Sequence, residues 1–148
     1  MSVSLRERAL RYLSRREYSS VELARKLSPH AQSPEEVESV LEHLRQKGLL
    51  SDARYVQMRI NVRSSKYGNI RLVQELRQQG VADSLIEEEL ALAEDELVRA
   101  REVWQRKFGG KEDIADMAER ARQQRFLMSR GFSGETIRQV LRGKFEDD

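Results

Sequence analysis

Apolar residues recur along this chain at the three- and four-residue spacing that lines one face of an amphipathic helix. The clearest case is residues 35–46, whose apolar face consists of Val37, Val40, Leu41 and Leu44. In front of this face, Ser33 is a suitable N-cap, Pro34 fits the first turn and Glu36 can return the capping bond. The pattern predicts a helix that begins here and ends before Gly48.

The same spacing predicts helices along the rest of the chain. Ser19 and Glu22 form a capping box in front of a short helix that runs through Leu27. A helix precedes it, with the apolar face Leu5, Ala9, Tyr12 and Leu13. The ranges predicted beyond Gly48 are 52–63, 69–79, from 83 onward, 97–104, 114–127 and 137–141.

These helices repeat one module. Four positions of the second third recur at one constant offset in the last third: Leu76, Gly80, Ile86 and Leu90 match Leu127, Gly131, Ile137 and Leu141. The first third shares the pattern: Leu23, Leu27, Val37 and Leu41 match Leu72, Leu76, Ile86 and Leu90. Since three short helices bury little apolar surface alone, such modules gain stability by packing against neighbouring modules. We predict an all-α protein, an elongated tandem array of three three-helix modules, with domains at 1–50, 51–94 and 95–148.

Two glycines interrupt helix-forming sequence at equivalent places in the second and third modules. Gly80 and Gly131 fit the left-handed position that follows a helix end, which glycine occupies without steric cost. Val81 and Phe132 come directly after them and can fold back onto the helix just completed. We therefore expect both glycines to be C-caps, and Ser133 to cap the last helix.

Composition narrows the class of protein. The 148 residues include 39% hydrophobic and 35% charged residues but only two prolines, which favours helices and a folded core. There is no cysteine, so disulfides, thiolate metal sites and a cysteine nucleophile are excluded. Neither a signal-peptide pattern nor an apolar run of membrane-spanning length is present. We expect a soluble cytoplasmic protein that is monomeric and has no membrane partner.

The net charge of +2 conceals strong segregation of charge along the chain. Residues 53–80 hold six bases and one acid, residues 81–98 hold seven acids and no base, and residues 120–144 hold seven bases and one acid. The basic segments could bind an anionic partner, although solvated helix faces would give the same pattern. We expect the acidic stretch 87–96 to lie on a long helix that joins the second and third modules.

Residues for catalysis or metal binding are sparse. His30 and His43 have no cysteine or second histidine beside them and are interpreted as surface residues. The glycines of 108–112 lack the pattern of a phosphate-binding loop and predict a turn between helices. The acidic runs 87–89 and 94–96 lack the spacing of a calcium loop. We therefore predict no catalytic residue, cofactor or metal.

The aromatic residues divide into two groups. Trp104, Tyr12 and Tyr55 fall on apolar helix faces and are expected in the core, whereas Tyr18 and Tyr67 are expected at the surface, where a base of single-stranded nucleic acid could stack. Tyr67 is the one aromatic in a turn that bases surround, namely Arg59, Arg63, Lys66 and Arg71.

Four motifs in order identify a family resemblance. They are Ser20-Val21-Glu22-Leu23 with Lys26-Leu27; Gly48-Leu49-Leu50-Ser51-Asp52-Ala53-Arg54-Tyr55; Tyr67-Gly68-Asn69-Ile70-Arg71-Leu72 with Glu75-Leu76-Arg77 and Gly80-Val81; and Arg125-Phe126-Leu127 with Arg130-Gly131-Phe132. With them, nearly the whole chain resembles the RecX family of bacterial regulators of the recombinase RecA. Ser51, Val56 and Ala82 depart from residues common in the family and leave the pattern intact.

The resemblance implies tandem three-helix modules and a non-enzymatic protein that binds RecA filaments on single-stranded DNA. Binding in the filament groove would inhibit the recombinase and co-protease activities by occupancy. Local charge, together with Tyr67, selects the candidate partner-binding residues: Arg59, Arg63, Lys66, Tyr67, Arg71, Arg77, Arg120, Arg122, Arg125, Arg130 and Arg138.

Two other classes remain open. A helix-turn-helix-like protein could act by direct DNA binding, but Glu35, Glu36 and Asp83 place acids at the starts of third helices, where they would repel phosphate. Weak direct DNA binding is compatible with either reading. A generic helical adaptor would differ only in its partner.

Overall fold

The computed structural model describes residues 3–109 and 117–145. Within these ranges the secondary structure consists of nine α-helices and one short 3-10 helix, Ser28–His30, so the all-α prediction is confirmed. The α-helices are α1 Leu5–Leu13, α2 Ser20–Leu27, α3 Pro34–Gln46, α4 Asp52–Arg63, α5 Asn69–Gln78, α6 Asp83–Leu92, α7 Glu96–Phe108, α8 Met117–Ser129 and α9 Gly134–Phe145. Ile114 and the predicted turn residues 110–112 lie outside the described residues.

Serine side chains begin several helices, as the sequence predicts. Both bonds of the capping box form at Ser19, whose side chain accepts from the backbone N–H of Glu22. The hydroxyl of Ser33 accepts from the N–H of Glu36, and that of Ser133 accepts from the N–H of Thr136. Each hydroxyl satisfies a backbone donor that the first helical turn leaves without a partner.

Two compact units make up the described chain. The first runs to Met58 and includes Leu76–Glu89, and the second combines Arg59–Glu75 with the described residues from Leu90 onward. The helices of the middle module are thus divided between the units, and the domain bounds at 50 and 94 stay predictions.

Each unit has its own apolar core. In the first unit, α1, α2 and α3 bury one cluster: Leu5, Ala9, Tyr18, Leu23, Leu27, Val37, Leu41, Leu44 and Leu50. In the second unit, α7, α8 and α9 bury another: Ala100, Val103, Leu127, Phe132, Ile137, Val140 and Leu141. Most of these residues occupy the faces that the helical spacing assigned to the core.

The acidic stretch 87–96 does not form one long helix, so that prediction was wrong. α6 ends at Leu92, and α7 begins at Glu96 after Asp95 adopts an extended ψ of 137°. The carboxylate of Glu96 accepts from the backbone N–H of Asn69 at 2.6 Å and lies 2.6 Å from the hydroxyl of Thr136. These partners within the second unit fix the start of α7 and account for the break.

The aromatic residues only partly follow the sequence expectations. Tyr55 is buried, as predicted, while Trp104 and Tyr12 are half-buried against the two cores. Tyr18 was expected at the surface, and this prediction was wrong because its ring is buried beside Tyr12. Only Tyr67 of the two proposed surface tyrosines remains partly exposed.

Gly131 ends α8 in the left-handed conformation that the sequence predicts, with φ of 86°, as do Gly48 and Gly80 at their helix ends.

Gly131 also lies against the turn between α4 and α5. The N–H of Gly68 donates to the carbonyl of Arg130 at 2.8 Å, and the N–H of Ile70 donates to that of Gly131 at 3.0 Å. A Cβ at Gly68 would collide with the Gly131 backbone, and a Cβ at Gly131 would collide with Arg71. The two turns therefore contact each other backbone to backbone.

This contact predicts different costs for two glycine substitutions. Gly48 has the same kind of positive φ, but its Cβ would meet nothing within 4 Å. We expect Gly48→Ala to lower the free energy of unfolding by about 1–2 kcal/mol from backbone strain alone. Gly131→Ala adds the collision and should cost at least about 3 kcal/mol. Urea unfolding followed by far-UV circular dichroism measures both, and equal costs would contradict the proposed role of the contact.

Candidate partner-binding surface

The ring of Tyr67 is the centre of a cationic cluster in the second unit. Tyr67 lies in the turn between α4 and α5, half-buried. The guanidinium carbons of Arg63, Arg71 and Arg130 lie 4.4, 4.3 and 5.6 Å from the centre of its ring. Such contacts are favourable because the negative face of an aromatic ring attracts a cation. The structure thus joins Arg130 of the third module to the middle-module residues.

Glu75 on α5 is the shared counter-ion of three arginines. Its carboxylate accepts two bonds from Arg63, at 2.6 and 2.8 Å, and weaker ones from Arg71 at 3.4 Å and Arg59 at 3.5 Å. Burial alone would raise the pKa of Glu75, but the bonds and charges of the arginines outweigh it and lower the pKa below its usual value. One carboxylate for three guanidiniums leaves the cluster positive.

Beside this cluster, α7 and α8 form a groove with the turn that carries Tyr67. We name it the Tyr67 groove; its volume is about 350 Å³. Its apolar lining residues are Tyr67, Val103 and Phe126, and its basic lining residues are Lys66, Arg106, Lys107 and Arg130. No acidic residue lines it within the described part of the chain. An anion with an apolar portion would match this lining.

A polar network around buried Arg99 holds the turn that carries Tyr67. Arg99 on α7 is only 3% exposed, and its guanidinium donates to the side chain of Asn69 and to the carbonyl of Tyr67. Burial lowers the pKa of Arg99 although nearby Glu96 opposes this effect. Its Nε has no hydrogen-bond partner among the described residues. Glu96 completes the network by accepting the N–H of Asn69.

The middle-module candidates do not all lie together. Arg59, Arg63 and Arg71 meet at Glu75, and Lys66 is exposed at the edge of the Tyr67 groove. Arg77 instead belongs to the first unit, where it forms an exposed ion pair with Asp83 at 2.8 Å. That pair raises the pKa of Arg77 and lowers the pKa of Asp83.

The last-module candidates lie on α8, on α9 and in the turn between them. Arg122 pairs with Glu119, and Arg138 pairs with Glu135, each at 2.8 Å and one helical turn apart. Arg120 and Arg125 are further bases of α8. Arg130 is the only one of this group that lines the Tyr67 groove. Partner binding by these residues stays a prediction.

Sequence reasoning missed three kinds of residue at this candidate surface. Glu75 was counted as a lone acid and not as a shared counter-ion. Arg106 and Lys107 lie on α7, for which the sequence pattern indicated only an apolar face. Glu96 and Arg99 carried a usable signal, since they lie on the same helical stripe as buried Ala100, where a charged residue must find a partner.

Neither a metal-ligand cluster nor a membrane-spanning helix is found among the described residues. They contain no group of three or more potential ligands placed to hold a metal ion. None of their helices has the length and apolar character needed to cross a membrane.

Comparison with known families finds one match for each module. Residues 6–44, 51–90 and 94–141 match the first, second and third three-helix domains of RecX, respectively. A Regulatory protein RecX of Leptothrix cholodnii is 52% identical over 141 residues, which cover 95% of this chain and 88% of that protein. A Regulatory protein RecX of Herminiimonas arsenicoxydans is 46% identical over 149 residues, covering 100% and 97%.

A solved structure agrees on the fold. The crystal structure of RecX from Lactobacillus salivarius superposes with a TM-score of 0.79 at 18% identity, covering 94% of this chain and 93% of that one. Together with the family matches, it confirms three tandem three-helix domains.

The lowered pKa of Glu75 predicts how stability depends on pH. We expect Glu75→Gln to reduce the free energy of unfolding by about 1–2 kcal/mol near neutral pH, because Arg63 loses its charged partner. Since the folded-state pKa lies below the unfolded value of about 4.3, this stabilisation is complete above that value and disappears as the pH falls through the folded-state pKa. Urea unfolding followed by fluorescence of Trp104, the only tryptophan, measures it.

The control is Glu135→Gln, which removes an exposed carboxylate from the same unit. It should change stability far less at neutral pH. A Glu75→Gln deficit that persists unchanged in acid would contradict the ionic explanation.

Proposed function

Because the chain belongs to the RecX family, we propose that it is a non-enzymatic regulator that binds RecA filaments on single-stranded DNA. Occupying the filament groove would obstruct strand exchange and co-protease activity, and so inhibit both by binding alone. The relatives are named as regulatory proteins, which supports this class of function. The observation that supports a specific binding site is the cationic surface around Tyr67 of this chain.

That surface suits a large anionic partner for a physical reason. Arg59, Arg63 and Arg71 share a single carboxylate, and the neighbouring Tyr67 groove adds four bases without an acid. An uncompensated positive surface accelerates encounter with a negatively charged assembly and orients it. A filament of protein and DNA is such an assembly, and its length lets a single bound regulator affect several subunits.

The alternative of direct DNA reading is less well supported. A recognition helix presents polar and basic residues at its N-terminal end to the major groove. α3 instead begins with Glu35 and Glu36 in its first turn, and α6 begins with Asp83. These carboxylates interact favourably with the positive N-terminal ends of their own helices and would repel phosphate.

The primary test is ATP hydrolysis by RecA on single-stranded DNA as this protein is added, with binding to bare DNA measured at the same salt concentration. We expect inhibition with little binding to bare DNA. Tight binding to bare DNA without inhibition would overturn the proposal and favour direct DNA binding.

A charge reversal links the inhibition to the surface. Lys66 is exposed and lines the Tyr67 groove, so Lys66→Glu should raise the concentration needed for half-inhibition by about three- to tenfold. Lys47→Glu makes the same charge change at an exposed position of the first unit and should have little effect. Equal effects of the two variants would show that Lys66 is not part of the binding surface.

A further inference from the structure

We propose that the Tyr67 groove binds an acidic peptide segment of the partner protein that carries an apolar side chain, rather than the DNA. The proposal rests on the proposed function, which it deepens by naming the chemistry that this groove recognises. Four observations carry it: the basic lining residues without a carboxylate partner, the cations that already lie near the aromatic rings, the apolar lining residues, and the fixed backbone of the turn.

The basic residues of the groove have no carboxylate partner within the described chain. Arg106 donates to the backbone carbonyl of Ser65, Lys107 lies 5.5 Å from the centre of the Phe126 ring, and Arg130 lies 5.0 Å from the same ring. Lys66 is exposed at the edge. The arginines at Glu75 are partly neutralised, whereas these four positive charges remain available to carboxylates of another molecule.

The aromatic rings distinguish a peptide from a nucleic acid. A base would stack on the face of Tyr67 or Phe126, as in single-strand binding proteins. Arg63, Arg71 and Arg130 already lie near the Tyr67 ring, and Lys107 and Arg130 lie near the Phe126 ring. A stacked base would have to displace these cations, while a carboxylate binds to them where they are. The lining therefore favours carboxylates.

The apolar lining residues of the groove add an apolar contact. Val103 belongs to the core of the second unit, and Phe126 packs against that core. Both residues line the groove, so an apolar side chain that enters it would contact hydrocarbon as well as the basic lining residues. A peptide with both acidic and apolar side chains fits this arrangement better than a uniformly charged chain.

The turn that carries Lys66 and Tyr67 is held before any partner arrives. Its Gly68 backbone is bonded to the carbonyl of Arg130, and its Tyr67 carbonyl accepts from buried Arg99. A prearranged site loses less conformational entropy on binding, which favours measurable affinity for a short peptide.

The test uses the full chain and two probes at equal ionic strength. One probe is a fluorescent synthetic peptide of Asp and Glu with a central Phe, and the other is a fluorescent oligothymidylate.

The groove variant is Lys66→Gln with Lys107→Gln. The control variant is Lys26→Gln with Lys47→Gln, which removes the same charge from the first unit. Lys26 is a close match for Lys107, because it lies 5.9 Å from the Tyr12 ring.

We expect the groove variant to bind the peptide about fivefold more weakly, since each exposed ion pair contributes a factor of about 1.5 to 5. The control variant should bind the peptide like the wild type. Unaltered circular dichroism and Trp104 fluorescence would show that both variants are folded.

Two results would overturn the inference: peptide affinity that is equal in the groove and control variants, or an oligothymidylate affinity that falls in the groove variant while the peptide does not bind. The second result would assign the groove to nucleic acid.

Binding of the wild type to RecA filaments is measured in parallel. If the peptide binds through the groove but filaments do not bind, the proposed function fails and the groove inference stands.

Discussion

The backbone contact between Gly68 and Gly131 is the constraint on which the candidate surface depends. It joins two turns that are far apart in sequence, and it tolerates no Cβ on either side. Because the Gly68 N–H is bonded to the carbonyl of Arg130, the side chains of Tyr67 and Arg130 are brought to the same place. The repeated glycine of the modules thus has a second role in this unit: it ends a helix and also permits a close approach.

Buried charge stabilises this arrangement at some cost. Arg99 is buried and Glu96 is partly buried, and removing charged groups from water is unfavourable unless they find partners. Here their partners are backbone and side-chain groups of two other segments: Tyr67 and Asn69, where the turn after α4 leads into α5, and Thr136 at the start of α9. The network therefore fixes the turn in one position, which apolar contacts would do with less geometric specificity.

Local physical chemistry explains what could be predicted from sequence. Serine caps, glycine helix ends and apolar spacing act within a few residues, so Ser19, Gly131 and the core face of α3 were predicted correctly. Contacts between distant segments left weaker signals. Nothing near Glu75 in the sequence indicates that Arg59 and Arg63 would share it, and the break before Glu96 depends on partners at Asn69 and Thr136. Tyr18 was misplaced because its burial depends on Tyr12, in the preceding helix.

We propose that the second unit meets the filament through the surface around Tyr67. Lysine footprinting tests it most directly, because Lys66 and Lys107 line the groove while Lys26 and Lys47 lie in the first unit. The measurement is the acetylation rate of each lysine, with and without RecA filaments on single-stranded DNA. We expect slower acetylation of Lys66 and Lys107 in the presence of filaments and unchanged rates at Lys26 and Lys47. Protection of Lys26 and Lys47 alone would contradict it.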